Sequence, residues 1–427
     1  MPATRPPSFV DVAIIGAGAA GVAAARALGG APLDVVVLEA RDRIGGRAHT
    51  VDRDGSGLDM GCGWLHSADE NVLAALAEDE GFGLDRTPPP WRSQAFNHEM
   101  SPDDQAAFGE AFAAFEDRVA EAARRGEEGP AATLFDPDGL WNGRIDAISG
   151  ALNGARFAEV SIRDYDAYRD TGVNWRVVEG YGRLVEHLGS SRPVVFDCPV
   201  SRIDRSGPAL LLDTARGRVE ARAVILTVPT SLLATETIRI DPPAPDLLEA
   251  ASGLPLGLAS KLHMTVTGAE DFPPDSQLWG RRDTADTAGY HLRPFGRPMI
   301  EAYFGADLAW GLEREGEAAF FAFAADELAA LLGSGIRRRI APVATSLWGA
   351  DPWARGAYSH ALPGHADDRA RLKAPIENRI FLAGEATSET FYGTAHGAWM
   401  EGERAAREAL TALGLDPGRG SDLRDRS

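Results

Sequence analysis

Only two cysteines, Cys62 and Cys198, occur in the 427 residues. That count excludes a disulfide framework and a cysteine-based zinc site. It fits a reducing compartment, and the expected location is the cytoplasm. Lysine is almost as scarce: of the 43 basic side chains, only Lys261 and Lys373 are lysines. No stretch approaches the roughly 18 consecutive apolar residues of a membrane span. The Pro-rich start has no leader-like apolar core, so neither a membrane nor a secretory route is expected. Positive charge is also in deficit, since 63 acidic side chains leave a net charge of −20. Nucleic acid needs a basic surface and is excluded as a partner. A cationic small molecule is compatible with this charge, although acidity alone does not argue for one.

What is present is the composition of a large globular chain, 44% hydrophobic and 25% charged. Val10–Ile15 and Asp34–Leu38 are continuous apolar runs of the kind buried in parallel sheets. An Ala-rich helix, Ala19–Leu28, lies between them, which makes a βαβ unit. Helical spacing recurs over 68–82, 103–125, Gly182–Gly189, Ala318–Leu332 and Gly393–Leu413, the last capped by Gly414. Short strands are expected at Val194–Phe196, Val200–Asp204, Ala209–Asp213, Val219–Ala221, Val224–Val228, Lys261–Val266 and Ile380–Leu382. Ile238–Pro245 reads as extended, 126–175 has no clear pattern, and the polar tail after Gly418 reads as disordered.

Gly16, Gly18 and Gly21 form G-A-G-A-A-G between the first strand and its helix. The first glycine permits a tight turn, the second lets backbone approach a pyrophosphate, and the third allows close helix packing. With 47 glycines in the chain the spacing alone is weak. Its position after a buried strand, with Glu39 ending the next strand, gives it meaning. An acid there accepts hydrogen bonds from ribose hydroxyls. Arg43-Ile44-Gly45-Gly46-Arg47 follows and offers cations and open N–H groups to a pyrophosphate.

The segment Gly16–Arg47, with E-A-R-D-R-I-G-G-R, resembles the N-terminal fingerprint of the flavin-containing amine oxidase superfamily. F-L-A-G-E-A-T-S-E-T-F-Y-G-T-A-H-G-A-W-M-E-G at 381–402 resembles its C-terminal flavin motif, nearest to the polyamine oxidase branch. The resemblance implies an α/β fold: a discontinuous Rossmann-like FAD-binding domain (1–85, 176–255 and 345–427) with an inserted α+β substrate-binding domain (86–175 and 256–344). It implies FAD held by Gly16, Gly18, Ala19, Ala20, Gly21, Glu39, Ala40, Arg41, Gly46 and Arg47. Gly61, Gly63, Trp64, Val200, Trp353, Gly384, Glu385, Gly393, Thr394 and Ala395 complete that set. Glu385 would accept from FAD hydroxyls, and the helix beginning near Thr394 would point its positive end at the flavin. Lys261, in L-P-L-G-L-A-S-K-L-H-M-T-V, matches the lysine that holds a water at flavin N5. Tyr358 matches the aromatic active-site wall, and its partner in the monoamine oxidase cage falls on Thr394, leaving a one-sided wall. His66 matches a histidine near the substrate, and Ala357, where some relatives carry cysteine, implies noncovalent FAD.

The activity implied is oxidative deamination, with hydride leaving an amine α-carbon for flavin N5 and O2 as acceptor giving H2O2. A polyamine-like or secondary amine is favoured. No side chain is an obvious general base, and no metal is expected. An L-amino-acid oxidase, a flavin desaturase or tailoring oxidase, and a non-catalytic flavin-stabilised protein remain alternatives.

Overall fold

The structure is a computed structural model that describes residues 5–98, 100–190 and 192–416. The tail after Gly418 lies outside the described residues. In chain order the elements that build the sheets are β1 (Phe9–Ile15), α1 (Ala19–Ala27) and β2 (Val35–Leu38). Two helices follow, α2 (Pro102–Arg124) and α3 (Asn142–Asn153). Next come β3 (Val194–Val195), β4 (Val200–Asp204), β5 (Leu210–Thr214), β6 (Gly217–Leu226) and β7 (Arg239–Asp241). They are followed by β8 (Ala259–Val266), β9 (Ser276–Trp279), β10 (Gly289–Leu292) and β11 (Met299–Gly305). The chain closes with α4 (Glu317–Leu332), β12 (Ile340–Thr345), β13 (Ile380–Leu382) and α5 (Ala395–Ala412).

The first sheet has eight strands in the order β7-β4-β5-β6-β1-β2-β3, with β13 also paired to β6. β1 is parallel to both β2 and β6, and β13 is parallel to β6. This is the doubly covered arrangement that continuous apolar strands require, because both of their faces must be buried. Helices α1 and α5 cover one face, with Gly402 packed so tightly on α1 that a Cβ there would lie 2.1 Å from the Ala20 carbonyl oxygen.

The structure departs from two of these expectations. Residues 219–221 and 224–228, read as two strands, belong to the single strand β6, which ends at Leu226. Its first half pairs antiparallel with β5 and alternates in burial, whereas its last residues run beside β13 and are wholly buried. The change of neighbour produces the change of pattern. Likewise 238–245, read as extended throughout, holds β7 and then opens a helix at Pro245, which suits a first helical turn. The unassigned stretch 126–175 holds α3 and the short helix Ile162–Ala167.

The second sheet is antiparallel, in the order β9-β10-β11-β8-β12. One face packs on α4, where Leu262, Met264, Ile300, Ala302 and Phe304 meet Phe320, Ala324 and Leu328. Burying each large side chain contributes roughly 1.5–3 kcal/mol. Side chains alternate along a strand, so the opposite face carries Lys261 and His263 of β8, Glu301 and Tyr303 of β11, and His291 of β10. That face is turned to a cavity. Strands β9 to β12 were not foreseen: on β10 and β11 polar residues on the cavity face hide the usual alternation of buried apolar and exposed polar positions, and Pro342 interrupts the short apolar run of β12.

No helix among the described residues is long and apolar enough to cross a membrane. Acidification is expected to loosen the fold. Burial lowers His49 and His360 to about 4 and His396 to about 3, each from an ordinary value near 6.5. His360 Nδ1 and His396 Nε2 have no hydrogen-bond partner, as neutral rings allow. The unfolded chain takes up these protons first, so the stability the neutral rings contribute is present above about 6.5 and is lost as pH falls through the folded values. Melting midpoints should therefore drop steadily from pH 7 to pH 4. Replacing His396 with a neutral residue should flatten the slope, and an unchanged slope would refute the assignment.

Candidate functional site

A cavity of about 1310 Å³ runs between the two sheets. It exceeds the roughly 300–1,000 Å³ of drug-sized ligand sites, as a dinucleotide plus a substrate would require. At one end the βα turn supplies its wall. Gly16 has φ +104°, and a Cβ on it would meet Thr227 Oγ1 at 2.6 Å. Gly46, at φ +58°, bears on Gly18, where its Cβ would lie 3.2 Å from the Cα. These bare backbone surfaces at the N-terminus of α1 form a cradle suited to a pyrophosphate. Gly21 does not line the cavity; a Cβ there would stand 1.9 Å from the Gly16 carbonyl oxygen, so it holds the turn and not the ligand.

Buried Glu39 accepts from the backbone N–H groups of Ala17 (2.7 Å) and Arg41 (2.8 Å), which fixes its carboxylate at the strand end. Arg41 is held by Asp351 at 2.5 Å. Ala40, Val200 and Trp353 complete this lobe. Arg43 is a correction: its guanidinium donates to the Gly46 carbonyl at 2.9 Å and braces the loop without lining the cavity. Arg47 does line it, donating to the Ala357 carbonyl at 2.7 Å and to Glu385 at 3.0 Å.

Glu385 also accepts from Ser359 Oγ (2.7 Å) and the Gly393 N–H (2.9 Å). Burial pushes its carboxyl up, but Arg47 and these donors outweigh burial and hold it below the ordinary value. Most of its acceptor capacity is thus engaged by the protein, tying the Arg47 loop to the entry of α5. At that entry Thr394 Oγ1 accepts from the Gly397 N–H (3.0 Å) and donates to the Phe391 carbonyl (2.6 Å). Its hydroxyl is engaged in capping α5, so Thr394 shapes the wall without a free polar group for catalysis. With Gly384, Gly393 and Ala395 it presents the helix N-terminus to the cavity.

The chemically loaded part lies under β8 and β11. Lys261, 6% exposed, has its Nζ 3.4 Å from Glu301 Oε1. Burial pushes the lysine down, yet Glu301 and Asp59 more than compensate and raise it above its ordinary value. Glu301 itself is opposed by burial but drawn down to about 2 by Lys261 and His263. The pair is therefore an ammonium and a carboxylate. Gly63 passes so close that a Cβ would sit 2.9 Å from Nζ. Next to it Trp64 stacks on His291 at 6.1 Å and meets Trp91 edge-on at 4.8 Å.

Tyr358 faces the same space, and its hydroxyl lies 3.0 Å from that of Tyr303. The wall is thus two-tyrosine, with the second ring supplied by β11 and not by position 394. His66 Nδ1 meets Asn174 Oδ1 at 2.7 Å, and burial holds the ring below its ordinary value, so it is neutral near pH 7. Every position expected to hold the cofactor, Gly21 excepted, lines this one cavity, as do Lys261, Tyr358 and His66. Glu301, Tyr303 and Asn174 were missed. The first two lie on an unforeseen strand, and only their two-residue spacing carried any signal. No group of three or more potential metal ligands occurs among the described residues.

Lys261 should respond to Glu301. In Glu301→Gln the nearest anion is gone and burial acts with less opposition, so the ammonium should titrate at lower pH than in the parent chain. Lysine-selective NMR labelling gives only two side-chain signals to follow, Lys261 and Lys373. An unmoved Lys261 titration would refute the pairing.

Residues 19–128 and 137–410 match the family described as flavin containing amine oxidoreductase. Polyamine oxidase 4 of Oryza sativa subsp. japonica is 30% identical over 97% of this chain and 90% of its own length. Polyamine oxidase 2 of Arabidopsis thaliana is 29% identical over 95% of this chain and 88% of its own. A solved structure of putrescine oxidase bound to putrescine superposes with a TM-score of 0.77 at 22% identity, covering 95% of this chain and 100% of that one. The protein belongs to the flavin-containing amine oxidoreductases, in their polyamine oxidase branch, and is an FAD-dependent oxidoreductase acting on amine groups.

Proposed function

We propose that the protein oxidatively deaminates an elongated, polyamine-like or secondary amine. The observation that carries this reading is a buried Lys261–Glu301 pair facing a two-tyrosine wall, in one cavity with a dinucleotide cradle. In this reading the Rossmann-like part, 1–85, 176–255 and 345–427, holds FAD, and 86–175 with 256–344 receives the amine. FAD, when bound, supplies the hydride acceptor at N5, with dioxygen as the final acceptor and H2O2 as its product. Ala357 offers no thiol for attachment, in keeping with noncovalent FAD.

The chain's own residues have distinct tasks. Lys261 is a compact cation with rotatable donors, anchored by Glu301, and can orient one water at the reacting centre. Tyr358 and Tyr303 hold the substrate carbon in place and keep bulk water out. Neutral His66, its Nδ1 proton directed at Asn174, leaves Nε2 as an acceptor for a proton from the arriving ammonium. Glu116, Asp117, Asp166 and Asp170 also line the cavity, and their charge favours entry of the amine group as its ammonium.

Anaerobic mixing with primary, secondary and polyamine substrates should bleach bound flavin. Absence of bleaching by every amine would overturn the reading. Lys261→Met should slow flavin reduction or reoxidation about 100-fold, roughly 2.7 kcal/mol, with FAD retained. An unaltered rate would remove Lys261 from the chemistry.

A further inference from the structure

Among the described residues three arginines, Arg144, Arg176 and Arg369, are buried. Arg369 is paired with Asp164 at 2.6 Å, and Arg176 with Asp85 and with Asp275, the latter at 2.7 Å. Arg144 differs. It is 7% exposed, and its Nε has no hydrogen-bond partner. It takes part in none of the ion pairs among the described residues. Its neighbours are rings, with the guanidinium carbon 5.1 Å from the centre of Trp279 and 5.9 Å from that of Phe108. Glu327 is the charge that acts on it, but that carboxylate is held by Thr287 (2.6 Å), Tyr290 (2.7 Å) and the Ala288 N–H (3.1 Å). Burial lowers Arg144 to about 10, and Glu327 offsets that only in part. An unpaired buried charge is costly, and a structure keeps one where a ligand completes it.

The position of Arg144 is informative. Arg144, Ala147, Ile148 and Ala151 share one face of α3, and all four line the cavity. The Ala151 carbonyl accepts the Tyr358 hydroxyl proton, which places that end of the face at the reacting centre. At about 1.5 Å per residue, Arg144 stands about 10 Å along the helix axis from Ala151. Helical side chains lean towards the N-terminus, which carries the guanidinium further from Tyr358. Ala147 and Ile148 give the interval an apolar floor.

We propose that Arg144 is an anion-binding subsite for the far end of the substrate, and that the amine oxidised here is an elongated one ending in a carboxylate. A planar fork beside two rings suits a planar carboxylate taken in two parallel hydrogen bonds. This rests on the amine oxidation proposed above and narrows its substrate. Among polyamine-like secondary amines it selects those with an acidic terminus. It also excludes α-amino acids, whose carboxylate is too near the amine to reach Arg144 while the amine is at Lys261 and Tyr358.

The test uses three eight-carbon probes on the FAD-loaded enzyme: 8-aminooctanoate, 1,8-diaminooctane and octylamine. The parent enzyme should favour 8-aminooctanoate over the diamine at least about tenfold in kcat/KM. In Arg144→Leu the kcat/KM ratio of 8-aminooctanoate to octylamine should fall about 30-fold, the worth of one charge-assisted contact. A second readout needs no turnover and is made on the parent enzyme and on Arg144→Leu. Octanoate should perturb the visible spectrum of bound flavin at lower concentration than 1-octanol does. A parent enzyme indifferent to the carboxylate in both assays overturns the proposal, as does an Arg144→Leu enzyme with an unchanged ratio. Octanoate binding that depends on Arg144, with no amine bleaching the flavin, supports the subsite and rejects amine oxidation.

Discussion

The site depends on keeping an ammonium charged where water is nearly absent. Burial alone would push the Lys261 ammonium below its ordinary value. Glu301, two residues from the facing position on the neighbouring strand, prevents this, and Asp59 assists from the loop below. Asp59 also accepts from the N–H groups of Tyr181 (3.1 Å) and Gly182 (3.3 Å), which open the following helix. It takes the Thr50 hydroxyl as well, within the hairpin Thr50–Arg53 and Ser56–Asp59. One carboxylate therefore links the antiparallel sheet, the hairpin and a helix of the parallel layer. The cavity keeps its shape because charges on its separate walls need one another.

Much of this was legible in the sequence where physics leaves a simple trace. Strand β13 was read to the residue, and β1, α1 and β2 to within a residue or two, because strands buried on both sides and tight glycine turns allow few alternatives. Lys261 stood out because lysine is nearly absent elsewhere. The site residues on β10 and β11 were not legible. Their apolar positions face α4 and their polar ones face a cavity, so the strands mix His, Glu, Tyr and Leu without the pattern of a surface sheet. Thr394 shows the opposite failure. Its place in the wall was foreseen, but only the folded chain shows its hydroxyl engaged at the start of α5. Arg144 was hidden by abundance, since one arginine among 41 gives no signal until it is seen to be buried while the other two buried arginines, Arg176 and Arg369, are paired.

The two sheets divide the work by their construction. Parallel strands end in turns with free N–H groups, which suit phosphates and do not vary with substrate. The antiparallel sheet presents alternate side chains to the cavity, so each cavity-facing position can change without disturbing the α4 face behind it. Specificity can therefore drift on β8, β10, β11 and the helices opposite while the cradle stays constant. This is consistent with a fold match over nearly the whole chain at only 22% identity.

The scarcity of lysine has a consequence for chemical durability. Aldehydes condense with unprotonated amines, and most proteins present many. Here Lys261 is buried and held protonated by Glu301. Lys373 is tied to Glu389 at 2.9 Å and to Glu401 at 3.4 Å. Apart from its α-amino group, the chain offers carbonyl compounds almost nothing to react with. In the deamination proposed above, which yields a carbonyl product, this inventory of side chains would itself limit self-modification, with no need for a separate protective device.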